Sequence, residues 1–299
     1  MNTFSSYMHE LNNRLSYPSD LSDMEWEIIK PHISVPRTNR GRKRTHSYRE
    51  ILNAIFYLLR SGCSWRMLPH DFPHWKTVYT YFRDWRNDGT WERINAELRS
   101  ELRISYGRES EPSAAILDSQ SVKTTETPGE RGYDAAKKVK GRKRHIMVDT
   151  IGLLLIVIVH TANIQDRDGA KLVLEQAKGK FCRLELIWAD AGYSGKLVGW
   201  VNSVCGWMLD IVKRKDDVKG FQVLPRRWVV ERTFGWLGRY RRLSKDYEGL
   251  TESSQAFIYA AMIHIMIRRL GRIKSLTNEK NEFKTASKKL LETLGKRNR

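Results

Sequence analysis

"HIMVDTIGLLLIVIVHTA", residues 145–162, sets two apolar runs on either side of a short break at "DTIG". Runs this short, rich in Ile, Val and Leu and separated by an aspartate and a glycine, read as two strands joined by a tight turn. The second run is too uniformly apolar to be an edge strand. A strand buried on both faces needs a layer on each side of its sheet, which places the segment in an α/β domain.

Outward from this hairpin the pattern continues to alternate. Upstream, "SAAILDSQSV" (113–122) is a short apolar strand ending at Asp118. Downstream, "DRDGAKLVLEQAK" (166–178) is an amphipathic helix, "LELIWADAGY" (184–193) a strand, "SGKLVGWVNSVCG" (194–206) a helix and "WMLDIVKRK" (207–215) a last strand. A long helix, "PRRWVVERTFGWLGRYRRL" (225–243), follows, and "AFIYAAMIHIMIRRL" (256–270) adds an apolar helix that packs on the core. Strand, hairpin, helix, strand, helix, strand, helix is the order of a ribonuclease H-like mixed sheet with flanking helices.

Before residue 113 the period is helical. "LSDMEWEIIKPHI" (21–33) opens with Ser22 as N-cap and Glu25 in capping-box position. "HSYREILNAIFYLLRSG" (46–62) carries Ile51, Ile55, Leu58 and Leu59 on one side and stops at Gly62; "WKTVYTYFRDWRNDGTWERINAELRSEL" (75–102) is aromatic-rich. The organisation expected is an arm over 1–19, a small all-α domain over 20–106, a ribonuclease H-like α/β domain over 113–271 and a loose basic tail over 272–299. A chain of 299 residues suits roughly two domains.

Charge narrows the partner. Lys and Arg number 53 against 34 Asp and Glu, a net charge of +19, and phosphate backbone is the natural polyanion to match it. "RTNRGRKRTH" (37–46) holds five basic residues and no acidic one, so Arg40, Arg42, Lys43 and Arg44 are candidate DNA contacts, although a charge run is as often merely solvated. The helix from Trp75 follows a turn-rich "LPHDFPH" and offers Lys76, Tyr79 and Arg83; that suits a helix-turn-helix reader, and equally an ordinary bundle with an aromatic core. Lys123, Lys143 and Arg144 flank the first two strands and are candidates for holding phosphates, with "KKVKGRKRH" (137–145) also readable as a solvated loop.

The three cysteines, Cys63, Cys182 and Cys205, form no CxxC pair and leave one over, so neither a disulfide frame nor a zinc site is suggested. The first residues lack the charged and apolar blocks of a signal peptide, and the apolar run Ile151–Val159 is far too short to span a bilayer. A soluble protein of a reducing cytoplasm is expected, with no membrane partner.

Two strands end in an aspartate: Asp118 after "AAIL" and Asp190 after "LIWA". Ligands gather where strand ends open into a crevice, and two carboxylates there repel unless a cation lies between them. Mg2+ takes oxygen ligands of this kind. A lone strand-end aspartate more often caps a helix; the pair, in so basic a chain, favours metal. Glu231 falls on the helical face of Arg227, Gly235 and Gly238, with Val230, Phe234 and Leu237 on the buried side. Interior helix glycines each cost about 1 kcal/mol relative to alanine, so something bulky is expected to approach that face. The alternative is a solvated Glu231 paired with Arg227. Tyr193 is a candidate for stacking on a base, with core packing an equal reading, and His160 reads as a satisfied core histidine.

"ILDSQSVK", "GRKRHIMVDTIGLLL", "IWADAGYSG" and "RRWVVERTFGWLGRYRRLSKDYE" together resemble the DDE transposases of the IS5 family of bacterial insertion sequences, over about Asp20 to Arg269. The resemblance implies a ribonuclease H-like catalytic domain whose triad is Asp118, Asp190 and Glu231, holding two Mg2+ or Mn2+ ions. It implies that one ion activates the water that cuts DNA at the element's end, that the other stabilises the leaving 3′ oxygen, and that the freed 3′-OH attacks target DNA. It further implies a helical DNA-binding region that reads terminal inverted repeats, double-stranded DNA as partner, a homodimer or larger assembly on it, and a bacterial, nucleoid-associated location. Arg227, Arg239 and Arg242 would add phosphate contacts. Related transposases carry a Tyr-Arg-Glu-Lys pattern round the glutamate. Arg227 and Glu231 fit it, whereas the tyrosine position is Leu224 and the lysine position Gly238, with Arg239 a stand-in for the lysine. Two other readings remain at this point: a non-catalytic, domesticated DNA-binding protein, and a host nuclease of the same fold.

Overall fold

Among the described residues, the helical periodicity before residue 113 forms the α-helices α1 (Asp23–Ile33), α2 (Tyr48–Ser61), α3 (Trp75–Asn87) and α4 (Thr90–Ser105). The computed structural model describes residues 14–33, 45–126, 129–212 and 226–297, with side chains as far as 280. The capping box closes as the sequence expects: the Ser22 N–H donates to Glu25 Oε2 at 3.0 Å and the Glu25 N–H to Ser22 Oγ at 3.2 Å. Ser47 caps α2, and Gly62 ends it at φ +77°, a left-handed position that disfavours a side chain.

The sheet follows with β1 (Ala114–Lys123), the short β2 (Gly132–Asp134), β3 (Val139–Asp149), β4 (Leu154–Thr161), the crossover helix α5 (Asp166–Ala177), β5 (Leu186–Ala189), α6 (Lys196–Trp200) and β6 (Met208–Ile211). β3 is antiparallel to β1 on one side and to β4 and β2 on the other, while β5 runs parallel to β1 and β6 parallel to β5. The 145–162 stretch therefore folds as the hairpin expected, inside a mixed α/β sheet of ribonuclease H-like order.

α7 (Trp228–Gly238) and the long α8 (Thr251–Arg297) complete the chain. One core joins α1 to α4, α7 and α8 to one face of the sheet through Ile116, Ile146, Val148, Val157 and Trp188; a second, between the other face and α5, holds Leu117, Met147, Ile187 and Tyr193. Buried polar bonds fasten the N-terminal helices to the hairpin. Arg103 pairs with Asp149 at 2.6 Å, and Asn95 donates to the Leu154 carbonyl at 2.9 Å.

The stretch from Arg272, expected as a loose tail, instead continues α8 to Arg297. It holds no proline, and its first turns are anchored by Lys274 on Glu101 of α4 at 3.2 Å. Among the described residues no helix is long and apolar enough to cross a membrane.

Candidate active site

The parallel pairing of β1 with β5 sets Ala114 beside Leu186 and Ile116 beside Trp188. Two residues further on, the same register carries Asp118, which lies inside β1 and not at its end as the sequence suggested, towards Asp190, the residue that follows β5, and the charge of Asp190 acts on it. Side chains alternate along a strand, and Ile116 and Trp188 both enter the core that contains α7, so both aspartates face α7.

Asp190 begins a 3₁₀ turn, Ala191–Tyr193, and caps it by accepting the Gly192 N–H on Oδ1 at 2.8 Å. The helix-cap reading of this residue and the ligand reading are thus compatible, because Oδ2 is left facing outward, 3.6 Å from the guanidinium of Arg227. Asp118 Oδ1 accepts the Ser119 N–H at 2.7 Å. Burial pushes its carboxyl up to about 6; the Ser119 N–H opposes this, the charge of Asp190 adds to it, and Arg227 and Lys137 oppose it further.

Glu231 lies exposed in the first turn of α7, its Oε1 3.6 Å from Arg227. That helix is aimed by the "DTIG" turn. Thr233 Oγ1 donates to the Gly152 carbonyl at 2.8 Å and Arg232 to the Ile151 carbonyl at 2.9 Å. Gly152, at φ +87°, admits this approach: a Cβ there would stand 2.7 Å from Thr233 Oγ1 and about 3.0 Å from the Trp236 ring. The buried side of α7 is Val229, Val230, Thr233 and Leu237, with the expected Phe234 only half-buried. An added Cβ at Gly235 or Gly238 would meet nothing within 4 Å, so that face is open.

Arg227 thus stands between Asp190 and Glu231, while the charge of Asp190 acts on Asp118. Among the described residues no three His, Cys, Asp or Glu side chains are drawn close enough, as they stand, to cage an ion. The donor set suits a hard divalent cation even so: three carboxylates, all oxygen donors, one of them with its pKa raised by burial and further by the charge of Asp190, beside the guanidinium of Arg227.

A family model described as "Transposase DDE domain" matches residues 109–266, more than half of the 299-residue chain. The chain belongs to the DDE transposase family. A second model, "Putative transposase of IS4/5 family (DUF4096)", matches residues 21–95 of the transposase. Two proteins of Burkholderia cepacia are similar to it. The "Putative transposase for insertion sequence element IS402" is 29% identical over 150 residues, covering 48% of this chain and 69% of the relative. The "Insertion element IS402 uncharacterized 16.2 kDa protein" is 29% identical over 112 residues, covering 34% of this chain and 72% of the relative. The solved Drosophila P element transposase strand transfer complex is a remote likeness, with TM-score 0.31 and 12% identity over 70% of this chain; the transposase spans 48% of that chain.

Several expected DNA contacts of the transposase are not on its surface. Lys143 is buried, its ammonium 2.9 Å from Asp166 and 3.5 Å from Asp134 and donating to the Ile164 carbonyl. Arg144 is buried and donates to the carbonyls of Leu243 and Lys245; burial pushes its guanidinium down to about 10. Arg242 is buried on Glu248 at 2.7 Å. Tyr193 is 1% exposed and bonded to His145, which leaves no ring face for a base. The cause is common to the three cations: in β3 and in the 3₁₀ turn after α7 the basic residues lie inside the fold, where each charge is matched by a carboxylate or a carbonyl. Lys76, Arg83, Lys123 and Arg239 are exposed and Tyr79 half-buried. Arg40, Arg42, Lys43, Arg44 and Leu224 lie outside the described residues.

The sequence reading missed Arg226, which stacks over Trp188 at 4.1 Å, and Trp228, 42% exposed beside Arg227. It also missed Lys137, whose charge acts on Asp118 and whose ammonium donates to the Ser119 carbonyl at 3.2 Å. A signal for Trp228 existed: Trp228, Arg232 and Trp236 recur at helical spacing, and Arg232 lies over both rings, at 4.3 and 4.7 Å.

Proposed function

We propose that this transposase binds the terminal inverted repeats of an insertion sequence, hydrolyses a phosphodiester at the element's end and joins the freed 3′-OH to target DNA, as a homodimer or larger assembly. The observation that carries the reading is the convergence of Asp118 in β1 with Asp190 just after the neighbouring β5, close enough for the charge of one to act on the other, with Arg227 linking Asp190 to Glu231.

Asp118, Asp190 and Glu231 would hold Mg2+ or Mn2+, in all two ions, which when bound supply a polarised water and neutralise charge at the attacking and leaving oxygens. The chain's own part is positioning. The interior of β1 and a capped turn fix the two aspartates better than free loops would. Burial raises the pKa of Asp118, and the charge of Asp190 adds to the shift. Arg227 supplies part of that countercharge and is placed to meet a phosphate beside Glu231. The open face at Gly235 and Gly238 gives a duplex room to approach, and Arg239 lies at its end. Lys76, Tyr79 and Arg83 on α3, together with Arg40, Arg42, Lys43, Arg44 and Lys123, would carry phosphate contacts.

The test is incubation with a labelled terminal inverted repeat, Mg2+ and unlabelled target. Cleavage and strand transfer that vanish in Asp118→Asn, Asp190→Asn and Glu231→Gln support the reading. Binding without cleavage would identify a non-catalytic DNA-binding protein, and cleavage indifferent to the repeat, with no strand transfer, a host nuclease.

A further inference from the structure

On the face of the sheet away from Glu231, a hydrogen-bonded chain crosses an otherwise apolar core. Tyr193 Oη is 2.8 Å from His145 Nε2, His145 Nδ1 is 3.1 Å from His160 Nε2, and His160 Nδ1 is 2.9 Å from the Thr161 carbonyl. All three side chains are buried.

The direction of the chain can be worked out from its end. A carbonyl oxygen only accepts, so His160 Nδ1 carries the hydrogen. Burial lowers the pKa of both imidazoles, that of His145 to about 3, so each ring holds one proton. His160 Nε2 is therefore an acceptor, His145 Nδ1 its donor, and His145 Nε2 an acceptor that the Tyr193 hydroxyl must supply. Asp166 and Lys143, the nearest charges, pair with each other at 2.9 Å, and Lys137, the other cation acting on His145, donates to the Ser119 carbonyl. Gly169 of α5 makes room for the rings: a Cβ there would stand 2.5 Å from His160 Nε2 and 2.6 Å from His145 Nδ1.

Its first member, Tyr193, and its central one, His145, each lie beside one aspartate of the site. Tyr193 closes the turn that Asp190 caps, its N–H donating to the Asp190 carbonyl at 3.1 Å. His145 pairs across the sheet with Ser119, the residue after Asp118. We propose that Tyr193, His145 and His160 are positioning residues, a one-way hydrogen-bonded chain that fixes the turn bearing Asp190 against the strand bearing Asp118 and so sets the spacing of the two metal-binding carboxylates. The inference rests on the reading that those carboxylates bind the ions. Volume alone would be satisfied by phenylalanine at 193; the hydroxyl is needed only for the bond, and a buried network with every member paired selects one arrangement.

The experiment measures Mn2+ binding to the DNA-free transposase by electron paramagnetic resonance, beside its melting temperature and its affinity for the terminal repeat. Tyr193→Phe is expected to raise the Mn2+ dissociation constant about 10-fold, within the range for partners that orient metal ligands, with repeat affinity unchanged. Gly169→Ala, which pushes on both rings, is expected to do the same. Asp190→Asn separates the two ideas. If it binds Mn2+ like wild type, the metal reading itself fails; if it loses Mn2+ while Tyr193→Phe and Gly169→Ala do not, the positioning chain alone is overturned. Should both variants unfold, nitrogen-15 spectra of the wild-type histidines decide. Two neutral Nδ1–H tautomers are expected for His145 and His160, and a charged ring or an Nε2–H tautomer at either overturns the chain.

Discussion

Replacing Asp118 by asparagine removes a carboxylate that the metal-free fold holds up to about 6, well above its ordinary 3.8. A group whose pKa rises on folding contributes stability that is fully present below its unfolded value and is lost as pH rises through the folded one. Well above pH 6 the ionised Asp118 is therefore a liability, on the order of 3 kcal/mol from the size of the shift. Asp118→Asn is expected to abolish DNA cleavage and yet to melt higher than wild type at pH 8 in chelator, with the gain shrinking towards zero near pH 4. Equal melting temperatures at both pH values would show that the carboxylate carries no such cost. Much of this chemistry was legible residue by residue. The i,i+4 spacing announced the pairing of Arg227 with Glu231. Nothing local announced that Arg227 also reaches Asp190, because that contact depends on how a helix lies across a sheet.

In α7 two glycines sit on an open face and a third, Gly152, lies beneath the opposite one, so substitutions at the three positions should diverge. Alanine at Gly235 meets nothing and gains helix propensity, so Gly235→Ala is expected to stabilise by up to about 1 kcal/mol, read as a higher melting temperature. Gly235→Trp, filling the same open space, is expected to weaken affinity for the terminal repeat without lowering that temperature; unchanged affinity would remove DNA from this face. Gly152→Ala forces a side chain into a left-handed backbone and against Thr233, and should cost roughly 1–3 kcal/mol in denaturant titration. The element's position was legible in its pattern, but its end was not. The sequence suggested one helix over 225–243, whereas α7 stops at Gly238 and a separate 3₁₀ turn, Arg241–Leu243, follows. There Arg144 from β3 captures the Leu243 and Lys245 carbonyls, and Arg242 bonds to the Cys63 carbonyl and Glu248. Periodicity reports what a helix prefers, not which distant donors compete for its carbonyls.

At the scale of the whole molecule, the change of period near residue 113 was legible as a boundary between a helical part and an α/β part, but the sharing of one core across it was not. An apolar stripe on a helix shows that something covers it without showing what. Here the stripes of α1 to α4 close against α8 and against the sheet face that carries Ile116, Ile146, Val157 and Trp188, with Arg103 and Asp149 buried as an ion pair between them. Removing the helices would uncover the apolar side of α8 and the part of that face which α7 and α8 do not cover. It would also leave Asp149 as an uncompensated buried carboxylate at the turn that aims α7, a defect that costs about 3–5 kcal/mol where one partner of a buried pair is lost. A domain holds only about 5–15 kcal/mol in total, so the α/β part should not stand alone. A fragment of residues 107–299 is accordingly expected to melt without a cooperative transition and to bind a hydrophobic dye, whereas the full chain unfolds in one step. A fragment that melted cooperatively and cut the terminal repeat at random would show instead that the α/β part is an independent catalytic unit, with the helices serving only to find the site.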